Sequence, residues 1–393
     1  MIPEYLRGWR PGVLCNTQLK TLCDEKVIDN VEDKKACKES SIDLTLGSDC
    51  WEMRGGSIKP FGQAYNTCLK PDLKKEPNGE NIYELKKGNT YVFKLRERLQ
   101  IAEDSHLYGE ATAKSTIGRT DVLARLIVDR SNKYEGFDDM KGIIDLYLEV
   151  TPITFDVIVK EGISLSQLRL FFGKPEFSEV TDDELVLYGR DILSIPGESD
   201  IDIRCLSVDL SNLSIGDKEA AAFCAKENLE QPLDLWKKEE AEKPNPCDFW
   251  KLKRSIDKRF AIKHNAFYIL RSLERISLPS HLAVYCRAMD ETIGEMRIHY
   301  AGFVHPNFGG GRSDDKTGTP LIFEVRGHNV DVSLGHKEIL AKLTYYRMSK
   351  EPEFETPSYG KQELDLSNIF AEWPDELEID KDGNVKKRTE EDK

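Results

Sequence analysis

Apolar and polar residues alternate along much of the chain. In "IIDLYLEVT" (143–151), Ile144, Leu146, Leu148 and Val150 fall on one face and Asp145, Tyr147, Glu149 and Thr151 on the other. This period of two predicts a half-buried strand. "TFDVIVKEG" (154–162) and "NVDVSLG" (329–335) predict further short strands that end in turns. Helical spacing is rarer. "NTQLKTLCDEKVI" (16–28) predicts a helix capped by Asn16 or Thr17, and "GDKEAAAFCAKENLEQ" (216–231) predicts a second. The charged, proline-broken "WKKEEAEKPNPCDFW" (236–250) reads as a connector. After about Glu372 the chain turns acidic and then mixed in charge, which predicts disorder.

The strand-forming phrases occur twice. "SIDLTLG" (41–47) returns as "SVDLSNL" (207–213), and "YVFKLRERLQIAEDSHLYGEA" (91–111) as "FYILRSLERISLPSHLAVYCRA" (267–288). "DLYLEV" (145–150) returns as "PLIFEV" (320–325), which sets Glu324 at the strand position of Glu149. "VKEGISLSQLRLF" (159–171) has a looser counterpart in "SLGHKEILAKLTYY" (333–346). Landmarks in one order at a near-constant offset mark two homologous halves. Many short strands in duplicate predict two small β-barrels or sandwiches rather than a parallel α/β sheet. The expected division is 1–195, 196–350 and a tail over 351–393.

Composition narrows the function. The 393 residues carry a formal charge of −14, against the basic face that general nucleic-acid binding requires. A polyphosphate needs only a few local cations and remains open. No run of 18 apolar residues predicts a membrane span, and "MIPEYLRGWRPG" lacks the apolar core of a secretory signal, so a cytoplasmic protein is expected. The nine cysteines are scattered, as free thiols in a reducing compartment would be. No C-x-x-C pair favours zinc, and neither a G-x-G-x-x-G nor a P-loop motif occurs.

The segment "KSTIGR" (114–119) concentrates candidate chemistry. Lys114 and Arg119 bring charge, Ser115 and Thr116 hydroxyls, and Gly118 close backbone approach. By itself the segment reads as a solvated turn, and Glu149 as a surface residue or ion-pair partner. The order S-x-D-L-x-L-G, K-S-T-x-G-R, a strand with a central Glu and G-x-x-L-x-Q-L resembles the dUTPase-like superfamily. More closely, the chain resembles the two-domain bacterial dCTP deaminases over about residues 10–371, including "AGFVHPNF" and the closing "SYGKQELDLSNIF".

The resemblance implies a mainly β fold of two tandem dUTPase-like distorted β-barrels with a few short helices. It implies an enzyme that hydrolyses dCTP to dUTP and ammonia without zinc, with Mg²⁺ accompanying the triphosphate, supplying thymidylate synthesis. The nucleotide would lie between subunits or domains. Carried over by position, Glu149 is the general base and acid, Ser115 holds water or base, Arg119 orients and supplies charge, and Lys114 and Thr116 hold phosphates. Tyr359, Lys361 and Gln362 belong to a tail that folds over nucleotide, Asp129 is a candidate for the sugar or a water, and Gln167 is expected in a structural turn. His305-Pro306-Asn307 stands where the superfamily often has Asp-Pro-Gly, which favours a structural turn there. The resemblance also implies a homo-oligomer, a trimer or dimer, and dTTP as a possible inhibitor. Two alternatives remain: a dUTP diphosphatase or bifunctional enzyme, with Asp129 activating water, and a regulator that binds deoxynucleotide without turnover.

The second copy of the loop, "DETIGE" (290–295), puts Asp290, Glu291 and Glu295 where the first has Lys114, Ser115 and Arg119. Two like charges about 4 Å apart near a surface interact by about 4 kcal/mol, enough to exclude a triphosphate. One competent site per chain is therefore expected, based on the first half, with the second half serving as scaffold or as the far wall.

Overall fold

The computed structural model describes residues 3–185, 192–237, 239–289, 302–310, 318–353 and 362–388, and the backbone of 296–299. The expected helix at the start is α1, Asn16–Asp24. Its cap falls one residue earlier than the sequence suggested: Cys15 is the N-cap, and the Gln18 side chain reaches back to the Cys15 amide at 3.1 Å.

The first half is a sheet built from β1 (Ile42–Glu52), β2 (Tyr91–Ile101), β3 (Leu107–Ala113), β4 (Val122–Val128), β5 (Gly142–Pro152) and β6 (Ser164–Phe172). The four-residue helix α2, Ser115–Gly118, joins β3 to β4. The strands pair antiparallel in the order β4-β5-β2-β1-β6-β3. In the second half, β7 (Cys205–Asp209), β8 (Ala222–Ala225), β9 (Trp250–Lys253), β10 (Phe267–Ile276), β11 (Leu282–Ala288), β12 (Thr319–Gly327) and β13 (Ile339–Arg347) repeat the plan. There β12-β10-β7-β13-β11 reproduces β5-β2-β1-β6-β3. The duplication in sequence is thus a duplication of barrel-like sheets, and β5 and β12 are equivalent strands.

The alternation in β5 is realised: Ile144, Leu146, Leu148 and Val150 are fully buried. The opposite face is also covered at its centre, because Met53 and Tyr65 pack against Tyr147. Two expectations fail. Residues 216–231 are not helical but carry the short strand Lys218–Ala220 and then β8. Residues Ala220 to Ala225 are all buried, and β8 lies between β9 and β10. A run of small residues buried on both faces suits a central strand, and tertiary pairing overrides alanine's helical preference. The tail beyond Glu372 also has order. It forms a hairpin of β14 (Leu377–Ile379) and β15 (Val385–Lys387), with Leu377 and Val385 in the core. Apolar side chains spaced among the charges give it a docking face that net charge alone concealed. No helix among the described residues is long and apolar enough to cross a membrane.

The halves meet along a polar and apolar seam. Gly12 lies so close to β13 that a Cβ would fall 2.5 Å from the Arg347 carbonyl oxygen, and its φ of 148° is one that side chains resist. Arg169 of β6 is fully buried, donating to the carbonyls of Val284 and Val304 across the seam and to Ser40 on its own side. Its guanidinium also stacks 4.0 Å from the Phe303 ring centroid. Replacing it with an apolar side chain of similar length orphans those carbonyls. Arg169→Met is expected to lower stability by about 2–4 kcal/mol, measured as a reduced urea midpoint. An unchanged midpoint would show that the seam does not rely on this residue.

Candidate active site

A cavity of about 610 Å³ opens at the seam. Its first-half wall is the β3–β4 connection. Lys114 is the extended N-cap residue of α2, Ser115 is exposed at the first helical position, and Thr116 and Arg119 follow around the turn. All four line the cavity. Lys114 Nζ bonds Asp43 Oδ2 at 2.6 Å, so the S-x-D-L aspartate holds this lysine in place. Arg119 is held by the tail: Nη2 donates to Gln362 Oε1 at 2.9 Å, and Nη1 to the Leu366 carbonyl at 3.2 Å. Gln362 itself lines the cavity. Tyr359 and Lys361 lie outside the described residues, as does the loop with Asp290, Glu291 and Glu295.

The second-half wall supplies aromatic rings from Phe303, Phe308 and Phe323, together with His305 and Glu324. Glu324 sits on β12, opposite Ile269 of β10, and is only 5 % exposed. Burial pushes its carboxyl up to about 8, against a smaller opposing pull from Arg119 and with support from the negative charge of Asp121. The cavity therefore joins a first-half loop rich in hydroxyls and cations to a second-half carboxyl that retains its proton near neutrality. Lys20, Lys34, Lys35 and Lys38 extend the cationic edge, interspersed with Asp33 and Glu39.

Glu149 does not line this cavity, contrary to the expectation that it faces Ser115 and Arg119. It is buried elsewhere in the first half, paired with Arg125 on the adjacent strand β4. Ser57 Oγ and Tyr134 Oη each donate to it at 3.1 Å, and Arg125 lies over the Tyr134 ring. All the partners described for this carboxylate belong to the first half, away from the 114–119 loop. The physical reason lies in the neighbours: segment 53–73 covers that face of β5, whereas the equivalent face of β12 meets the other half.

Asp129 is also away from the cavity, where its Oδ1 accepts from the Tyr65 amide at 2.7 Å. Gln167 lies within β6 rather than in a turn. It accepts from Ser41 Oγ at 3.0 Å and lines the cavity. His305 opens the expected turn, its carbonyl accepting from the Phe308 amide at 3.2 Å, and it also lines the cavity, with Nδ1 2.7 Å from Ser40 Oγ. The sequence held one signal for Glu324, its repetition of the Glu149 position, but nothing to show that the halves would exchange partners.

Comparison with known proteins follows the same division. Residues 10–174 match the model of the 2′-deoxycytidine 5′-triphosphate deaminase (DCD) N-terminal domain, and residues 183–370 match that of the DCD C-terminal domain. Among solved structures, the chain is similar to 2′-deoxycytidine 5′-triphosphate deaminase from Agrobacterium tumefaciens. The two are 27% identical with a TM-score of 0.77, covering 87% of this chain and 99% of that one. A likeness to an anti-sigma factor domain-containing protein, at a TM-score of 0.15, carries no structural argument. No curated protein matches the sequence. With both halves matched along most of their length, the chain belongs to the 2′-deoxycytidine 5′-triphosphate deaminase family.

Proposed function

We propose that this dCTP deaminase works in the cavity at its seam, with Glu324 carrying the protons. The supporting observation is a buried carboxyl, pushed up to about 8, on the same cavity as Ser115 and Arg119. Such a group begins the cycle protonated at neutral pH and gives its proton to cytosine N3, which makes C4 electrophilic. The resulting carboxylate takes a proton from water as the hydroxide adds to C4. It returns that proton to the amino nitrogen, the C4–N bond breaks, and ammonia leaves. The C4 hydroxyl then passes its proton to Glu324, giving the uracil carbonyl and restoring the starting state. One group that is acid, base and acid again needs its two forms to be close in energy at the working pH.

In this reading Ser115 holds the attacking water or the base, and Arg119 stabilises the carboxylate form of Glu324 when it appears. Thr116, Lys35 and Lys38 meet the triphosphate, with Lys114 sharing its charge with Asp43. Among the described residues no three His, Cys, Asp or Glu side chains gather as a metal site. Mg²⁺ would be held mainly by the triphosphate's own oxygens, where it would neutralise charge. The aromatic rings of the second-half wall exclude water from around the pyrimidine.

Glu324→Gln is expected to reduce ammonia release from dCTP by about 10²–10⁴-fold, with Arg119→Ala also strongly impaired, while Glu149→Gln retains most activity if folded. Equal loss in Glu149→Gln and Glu324→Gln, both verified as folded by circular dichroism, would return the role to Glu149.

Stability gives a second check. Glu324 has its carboxyl raised from 4.5 to about 8 in the folded state, so the folded protein binds the proton more tightly than the unfolded chain. Its contribution is fully present below about pH 4.5 and is lost as pH rises through 8. The Tm of Glu324→Gln should therefore gain on that of the unaltered protein as pH increases across this window, by differential scanning fluorimetry. A constant difference would mean that Glu324 is not held protonated.

A further inference from the structure

Asp121 closes the turn after α2, two residues beyond Arg119, with its amide bonded to the Gly118 carbonyl. Its φ is 57°, a left-handed conformation that favours Gly or Asn, and its side chain is completely buried. A buried aspartate in that conformation carries two costs that Gly at the same place would avoid. Across the seam, Arg326 of β12 donates to Asp121 Oδ2, and Thr154 Oγ1 donates to the same oxygen at 2.5 Å. Arg326 is anchored in turn to the Asn265 carbonyl at 2.5 Å. Arg326 lies two residues from Glu324 on one strand, so both side chains leave β12 on the same face. Asp121 Oδ1 is buried with no hydrogen-bond partner among the described residues, which leaves part of the carboxylate's charge without local compensation.

We propose that Asp121 is a positioning residue for deamination: through Arg326 it holds the Glu324 strand against the Arg119 turn. This rests on Glu324 as the proton carrier. The groups facing Glu324 divide clearly. Arg119 and Asp121 approach from the first half with opposite signs, and Cys286 comes from β11 as a partly buried thiol. Ile269 of β10 is an apolar neighbour, and His299 is the backbone partner on the strand Met296–His299. Without Asp121, Arg119 would act unopposed and favour the carboxylate too early in the cycle. The same ion pair thus fixes a distance and sets a proton affinity.

Asp121→Asn is the decisive variant, since Asn keeps the shape and tolerates the left-handed backbone while removing the charge. Arg326 then loses its partner, so the double variant Asp121→Asn with Arg326→Gln removes both charges and separates electrostatics from a general loss of fold. Two quantities are measured in each folded variant. One is kcat/KM for ammonia release from dCTP between pH 5.5 and 9.5 (an experimental range, roughly centred on the Glu324 value). The other is the Glu324 carboxyl titration by ¹³C NMR with labelled glutamate, assigned by its disappearance in Glu324→Gln.

In Asp121→Asn the alkaline limb and the carboxyl midpoint are expected to move down together by about one pH unit, and in the double variant, which also removes the Arg326 charge, to return part of the way. The Asp121→Asn shift corresponds to about a tenfold loss of activity near pH 8.5 and little loss near pH 6. An even loss at every pH, or a midpoint that stays where it was, overturns the inference. Full activity in Glu324→Gln would instead overturn the proton-carrier reading beneath it, whatever the Asp121 titration does.

Discussion

Withholding water from one carboxyl group is the constraint around which this molecule is arranged. Glu149 and Glu324 occupy equivalent positions on equivalent strands, yet their surroundings give them opposite chemistry. Beside Glu149, Arg125 projects from the next strand and two hydroxyls complete the pairing, so the charge is neutralised where it forms. Glu324 is buried and in no salt bridge among the described residues, and the cation that acts on its proton, Arg119, belongs to the other half of the chain. Desolvation then outweighs the attraction and holds the proton in place. A buried carboxyl held against desolvation beside a cavity is the kind of group that functional sites employ.

The seam that creates this environment depends heavily on arginine. Arg169 runs from the first half to second-half carbonyls, Arg326 runs the other way to Asp121, and Arg119 is gripped by the tail. Glu363, next to Gln362, bonds Arg275 at 2.7 Å and also Arg271, so the tail is tied to both halves at once. A guanidinium satisfies several carbonyl or carboxylate oxygens from one rigid plane, which suits a contact that must fix orientation as well as hold. The cavity wall is consequently set by the same bonds that hold the halves together, and a small rotation of one half would separate Ser115 from Glu324.

The strand plan was legible because alternation and repetition are local properties: β5 follows its period, and the second half follows the first. The 114–119 loop and Gln362 were singled out by the resemblance to a family, since the loop by itself reads as a solvated turn. What stayed hidden depended on contacts between distant segments. Alanines 220–222 suggested a helix until β9 and β10 enclosed them, and the hairpin at 377–387 was obscured by its charged neighbours. The choice between Glu149 and Glu324 was hidden for the same reason. Nothing within either strand distinguishes them, and only the arrangement of the halves decides which one faces the loop. Asp121 was missed because its partner lies 205 positions away.

The covalent joining of two equivalent barrels has a consequence for how this protein can change over generations. In a ring of identical copies, any substitution made for the loop side of the pocket is imposed on every copy of the acidic side as well. Here those two roles belong to separate stretches of one gene, so each can be altered without disturbing its twin. Arg125 beside one glutamate and Asp121 opposite the other illustrate that freedom: the two strands began from one template and now answer to different demands.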